Sequence, residues 1–498
     1  MLKKNGFTLV EVLGVIFLIG LLLVLAFPPI VNQLKRSTED IDKATKELIY
    51  NSTDFYLEKN QQNYPLNNDS VFCVSLKTLV DTGELSNDLT SISTGKKIDL
   101  TKVVKVNYES NTNIDYKIVN QNECVEKITK PFYVDKTGAN RPTLSPGMIP
   151  VIWDATKWVK ADTYDKWYDY KIQEWANVVL VTETTRSYYM SAEPKTEIKE
   201  DDVLAHLVWI PRYKYKLFNV NSEVSSPREI EIIFEKKQTP KSAGNTNGTY
   251  LTHPAFTFGG ELSGFWIGKF ELTGTPTEPS IKPNYPSLKE QTTSSFFEII
   301  KLFNNETVYG LPINTDAHMI KNMEWGAVAY LSHSKYGRIE EITINDNISF
   351  LTGDGDYVFN TNQSTTGNIY GVYDMSGGSF EYVMGGMFES GNTIINVSLS
   401  GFEQTTIDSV IMSKYIDKYN YGTTYDDQLA YDRRKLGDAT GETRGWYGDS
   451  SNFVYSTNSW FERGGDNDGS VSSGPFQFHR IAGGSGIDDS SRLVIPGF

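Results

Sequence analysis

The residues best able to do chemistry are few and mostly far apart. Cys73 and Cys124 are the two cysteines in a chain of 498 residues. They could form one disulfide in an oxidising compartment or remain as two inert thiols. His253, His318, His333 and His479 lack the spacing of a zinc site and read as structural histidines. Acidic turns supply hard oxygen ligands at Asp354 with Asp356, Asp466 with Asp468, and Asp488-Asp489. Asp466, Asp468, Asp488 and Asp489 are therefore candidates for calcium, although no stretch has the full EF-hand pattern. Gly353-Asp354-Gly355 and Gly483-Gly484-Ser485-Gly486 have no strand–loop–helix context for cradling phosphate, and read as turns. No catalytic residue is expected, and no cofactor beyond that calcium.

The elements that must position these residues begin with a long apolar segment. Lys3 and Lys4 precede a nearly unbroken apolar run from Phe7 to Val31, whose one charge is Glu11. About 20 residues span a bilayer as helix, and the lysines should stay on the cytoplasmic side. A cleaved secretory signal fits poorly, because a charge interrupts the run and Pro28-Pro29 follows the faint small-residue site at Ala26. Ile30, Leu34, Ile41, Leu48 and Phe55 then continue at roughly helical spacing among charged residues. The pattern predicts one helix over 7–58, bent near Pro28 and ended by the stretch from Asn60 to Asn68.

The run Lys3-Lys4-Asn5-Gly6-Phe7-Thr8-Leu9-Val10-Glu11 resembles the cleavage and methylation motif of type IV pilins and pseudopilins. The resemblance implies a leader over 1–6, cleavage after Gly6 by a prepilin peptidase, and N-methylation of Phe7. It further implies that the helix holds the subunit in the cell membrane until it packs among other pilin subunits, and that Pro28 is the helix-bending proline. Glu11 would then offset the new amino terminus of a neighbouring subunit. A lone carboxylate in hydrocarbon is costly, so such pairing has a physical reason.

The bulk composition bounds the remainder. The length allows two to four domains. Asp plus Glu is 62 against 47 Lys plus Arg, a net charge of −15. That balance argues against direct nucleic-acid binding, which needs basic surface to neutralise phosphates. Gly 40, Tyr 29, Phe 25 and Trp 9 suit turn-rich β structure. Over 60–130, strands are expected at Val71–Leu76, Lys102–Tyr108 and Asp115–Val119, with a short helix within Leu76–Leu85. This pattern is consistent with the small strand-rich head that pilin-like proteins pack against the outer half of their helix.

A Pro/Gly-rich stretch from Asn140 to Pro150 marks a boundary. Beyond it, over 148–204, Trp153, Trp158, Trp167 and Trp175 punctuate short strands and suit the small core of a compact meander. This aromatic β module resembles one found in surface-associated proteins of Gram-positive bacteria and their phages, which points to that kind of bacterium. Thr196 to Leu204 reads as a short helix, and helices are expected at Ser294–Phe303 and Asn322–Ser334.

Over 205–498 five landmarks fall in order: Phe265 to Glu271, Trp325 to Leu331, Gly371 to Tyr382, Arg463-Gly464-Gly465, and Ser491 to Ile495. They resemble the formylglycine-generating-enzyme family, a variant of the C-type lectin-like fold. The family's oxidation chemistry uses paired copper-binding cysteines, whereas both cysteines here precede residue 130. The resemblance therefore carries fold and not activity. The expected class is α+β: a long pilin-like helix with a small β head, the β module, and the lectin-like domain.

The stretch from Trp460 to Ile487 is dense in Asn, Gly, Ser and aromatics, as in adaptable binding surfaces. The expected function is a minor pilin or pseudopilin subunit that presents a large extracellular domain to a glycan or protein ligand. The rivals are a subunit that only primes or caps a secretion or DNA-uptake filament, and a membrane-tethered enzyme, which the missing cysteines disfavour.

Overall fold

A computed structural model describes residues 45–60, 63–64, 70–88, 90, 97–110, 113–129, 132–221, 226–388, 399–403, 407, 414–420 and 434–498. Gly6, Phe7, Glu11 and Pro28 lie outside these residues, as does the apolar run. Among the described residues no helix is long and apolar enough to cross a membrane. The chain divides into two compact units, 1–130 and 131–498.

In the first unit helix α1 (45–59) turns Ile49, Thr53 and Leu57 inward at four-residue spacing, which stacks them on one face. They meet an antiparallel sheet of order β1-β2-β3, formed by Val71–Ser75, Lys102–Ser110 and Asn113–Asn120. Phe72 and Val74 alternate inward along β1, and Val104, Val106 and Tyr108 along β2. Ser75 ends β1 and caps α2 (Leu76–Asp81), its hydroxyl accepting from the Thr78 N–H at 2.9 Å. Cys73 and Cys124 are bonded to each other across 51 residues of chain.

The second unit is built on a seven-stranded sheet. In chain order its first four strands are β4 (Ile149–Trp153), β5 (Trp158–Lys160), β6 (Asn177–Val181) and β7 (Val203–Pro211). Helix α3 (Glu183–Ser191) links β6 to β7. Strands β8 (Tyr213–Lys216), β9 (Ile232–Phe234) and β10 (Tyr250–Thr252) form a separate small sheet. Then come β11 (Gly264–Gly268), the two-residue strands β12 (Thr273–Gly274) and β13 (Pro279–Ser280), and helices α4 (Thr293–Lys301) and α5 (Glu306–Tyr309). They are followed by β14 (His318–Met319) and α6 (Asn322–Ser332), a helix buried on all sides.

A second main sheet comprises β15 (Phe380–Phe388), β16 (Asp417–Asn420), β17 (Trp460–Gly464) and β18 (Gly474–Ile481), in the order β16-β15-β17-β18. Strand β19 (Asp489–Ser491) pairs parallel with the start of β15. The last strand, β20 (Leu493–Gly497), returns to the seven-stranded sheet, whose order is β14-β20-β11-β7-β6-β4-β5.

That order crosses the division expected at 204/205. Strands from 148–204 and from 205–498 hydrogen-bond in one sheet, as Val178 with Leu207 across β6 and β7. Of the tryptophans expected to form a core of their own, Trp153 packs on Trp158, but Trp158 and Trp175 reach later residues. Trp158 Nε1 donates to Tyr357 Oη at 2.8 Å and Trp175 Nε1 to the Tyr336 carbonyl at 2.7 Å. A three-stranded meander has too little area to cover indoles, and the adjoining segment supplies it. The helix expected within Thr196–Leu204 is a single turn at Glu200–Asp202 before β7. The helices expected near 294 and 322 are α4 and α6.

The landmark segments converge on a charged cluster inside the unit. Arg492 is fully buried, with Nε 2.9 Å from Glu381 Oε2, a second bond from Nη2 to Glu381 Oε1, and Nη1 donating to the Gly268 carbonyl at 2.9 Å. Glu271 accepts from the Ser379 N–H at 2.8 Å, and Asp374 from the Gly353 N–H at 2.9 Å. Burial raises all three carboxyls, Glu271 well above the usual range and Asp374 to about 6. Gly378, at φ +75°, passes so close to Glu271 that a Cβ would lie 2.5 Å from Oε1. Lys269 is buried nearby, its Nζ donating to Asn177 Oδ1, the Ile369 carbonyl and the Gly371 carbonyl at 3.0, 2.6 and 2.9 Å. Three acceptors match the three hydrogens of an ammonium.

Candidate recognition surface

The chemistry-bearing residues of the C-terminal stretch are placed by β15, β17, β18 and β19. Residues directly opposite on paired strands share a face. Tyr382 faces Glu462, and Glu462 faces His479, so the three form one row across the sheet. Phe380 pairs with Asp489 and Tyr382 with Ser491, which brings Asp489 to the same face. The Phe380 and His479 rings lie 6.3 Å apart, both part-exposed. Beneath them Glu462 and Asp489 are 3% and 4% exposed.

The partners in this row are incomplete. Glu462 Oε1 lies 2.7 Å from His479 Nδ1, whereas Oε2 is buried without a hydrogen-bond partner. The Asp489 carboxyl is pushed up to about 8, first by burial and then by the charge of Glu462. Tyr382 Oη donates its one hydrogen to the Gly484 carbonyl at 2.6 Å. An interaction with Tyr382 also favours the ionised Asp489 and partly offsets the burial. Gly486 also bonds this carboxyl through its backbone, so closely that a Cβ there would lie 2.1 Å from Oδ2.

Loops extend the surface. Asn467 donates from its backbone to the Gly378 carbonyl and from Nδ2 to the Asn347 carbonyl at 2.8 Å, bringing the β17–β18 loop against residues 345–350. Ile348 and Ile487 stand out at 90% and 75% exposure. The segment before β17 contributes Tyr447, whose φ of +56° is rare for a bulky side chain. Its hydroxyl lies 2.8 Å from His333 Nε2. Tyr455 is covered by the Arg480 guanidinium at 4.9 Å.

The four calcium candidates divide. Burial, then repulsion from Asp468 and Asp488, raises the Asp466 carboxyl, so these three share one locality. Asp489 turns instead to Tyr382 and Glu462. Among the described residues no group of three or more His, Cys, Asp or Glu could hold a metal ion. His253, His318 and His333 are buried in separate places, and Asp354 is engaged by Asn347, Asn360 and Gln363. The Glu462 row is absent from the sequence reading, because its members come from strands 80 to 100 residues apart in the case of Tyr382 with its partners. One signal was available: Glu462 is a charge between Phe461 and Arg463 in a strand otherwise set to be buried.

Residues 1–27 match the family described as the prokaryotic N-terminal methylation motif. This is a prepilin-type signal, consistent with the pilin and pseudopilin family. It implies membrane association before processing, the action of a prepilin peptidase, and association with other pilin subunits. No curated protein matches the chain.

Proposed function

We propose that the chain is a minor pilin or pseudopilin subunit that carries residues 131–498 outside the cell as a recognition domain. The observation that carries the reading is the pairing of an N-terminal methylation motif with a second unit far larger than the first. So large an outer domain would be hard to repeat along a close-packed filament, which favours a tip or low-copy position. The likeness of its landmark segments to the C-type lectin-like fold supports a scaffold that offers loops to a glycan or protein. Fold alone names no ligand. In this reading Gly6 is the cleavage site, Phe7 is methylated, Glu11 pairs within the filament, and the domain binds rather than catalyses.

The test is mass spectrometry of the mature N-terminus combined with immunogold labelling of filament preparations. The expected product starts at methylated Phe7, and Gly6→Val abolishes the cut. Uncut protein confined to cell membranes would sink the filament assignment. Turnover of a cysteine-containing peptide would overturn the non-catalytic part.

A further inference from the structure

The Phe380–His479 end of the second main sheet has the makings of a site for positive charge. Two buried carboxyls, Glu462 and Asp489, lie under two part-exposed aromatic rings. Among the described residues neither carboxyl is matched by a buried cation, in contrast to Glu381, which Arg492 grips with two bonds. Glu462 Oε2 is the sharpest sign. It is an acceptor inside the protein with nothing to accept from, and such an atom costs free energy until a donor reaches it. Its charge bears on the Asp489 carboxyl, so the orphaned acceptor belongs to the same cluster.

The surroundings repeat the sign. Asp466, Asp468 and Asp488 lie near enough to repel one another. Among the described residues, the basic side chains facing this group are His479, hydrogen-bonded to Glu462, and Lys289, which feels Asp488 while its ammonium lies over the Phe350 ring. The part-exposed face of Phe380 suits a cation resting against it. A sugar hydroxyl could satisfy one oxygen, but it would not offset the negative charge that Glu462 and Asp488 place beside Asp489.

We propose that this face takes up a cationic side chain of a basic polypeptide partner, an ammonium or guanidinium that lies against the part-exposed Phe380 ring to reach Glu462 and Asp489. The proposal rests on the recognition reading above and gives it a ligand class. A guanidinium fits best, because its fork can serve two carboxylates while its plane stacks on the Phe380 ring. Exposed Ile348 and Ile487 would border the entry with apolar contact for the partner's backbone or neighbouring side chains. Proton release accompanies binding. Asp489 must ionise to pair with the cation, so affinity rises with pH through about 8.

The experiment is calorimetric titration of the full chain in detergent with oligoarginine, oligolysine and calcium chloride at about 0.15 M salt, where diffuse attraction is screened. A glycan array is run in parallel. Near-isosteric Glu462→Gln and Asp489→Asn are compared with Glu193→Gln, which removes one exposed charge from a different part of the unit. Oligoarginine is expected to bind the parent chain and to bind Glu462→Gln roughly 10- to 100-fold more weakly. Glu193→Gln should bind as the parent does, and the rise in affinity between pH 6 and 9 should vanish in Asp489→Asn. Tryptophan fluorescence verifies that each variant is folded.

Equal losses in Glu462→Gln and Glu193→Gln would reduce the effect to net charge and overturn the proposal. So would calcium binding lost in Glu462→Gln, with no peptide binding, because the site would then take an inorganic cation. Retention of a neutral glycan alone would overturn the cation site while leaving the recognition reading intact. Failure to retain any probe or any cell surface would remove both.

Discussion

Arg492→Met tests how far the second unit depends on one buried cation. In the parent chain Arg492 holds Glu381 with two bonds and faces Asp374 and Glu271, all at 0–1% exposure. Methionine keeps much of the volume and removes the charge, leaving three carboxyls without compensation. Removal of one partner of a buried pair costs about 3–5 kcal/mol, a large part of the ~5–15 kcal/mol that holds a typical protein folded. All nine tryptophans lie between Trp153 and Trp460, so indole fluorescence reports the second unit and not the first. In urea the midpoint of that transition should fall by roughly 1 M, since the slope for a unit this size is several kcal/mol per molar.

The pH dependence supplies a second readout. Glu271, Asp374 and Glu381 all have folded-state pKa values above their ordinary ones. A carboxyl raised in this way binds more protons folded than unfolded. Its stabilisation is complete below the ordinary carboxyl range and is lost as pH rises through the raised value. Without Arg492 those values climb further. The variant should therefore lose less at pH 5 than at pH 8, and adding Glu381→Gln should recover part of the loss at pH 8. An unchanged midpoint, or a loss greater at pH 5, would refute the reasoning.

Two further predictions use other close contacts. Gly378→Ala places a methyl 2.5 Å from Glu271 Oε1 at a φ of +75°, and should cost about 1–3 kcal/mol in the same fluorescence assay. Cys124→Ser opens the bond to Cys73 and should weaken the first unit by ~2–4 kcal/mol. Earlier proteolysis within residues 1–130 would show this, while the tryptophan transition stays where it was.

Much of the head was legible because its strands obey the simplest rule. Phe72, Val74, Val104 and Val106 sit at alternating positions, and alternation is local. The α4 and α6 helices were legible for a related reason, because their apolar residues recur within one turn. What escaped was the joining of distant segments. Nothing near Trp158 in sequence announces Tyr357, and nothing near Glu381 announces Arg492, although a charge inside an apolar strand implies a buried partner somewhere. The Glu462 row was hidden in the same way. Its chemistry exists only once β15, β17 and β18 lie side by side, and register across three strands is not written in any one of them. The Trp460–Ile487 stretch stands out in composition, but the buried Glu462 and Asp489 beneath its surface do not.

Strand β20 lies between β14 and β11 inside the seven-stranded sheet, although it is the last strand along the chain. The sheet cannot close until residue 497 is free to enter it. Completion of the fold therefore waits until β20 has left the ribosome. Until then β11 offers an open edge for wrong pairing. A stalled or clipped copy would keep that edge open, with the seven-stranded sheet unfinished at its centre.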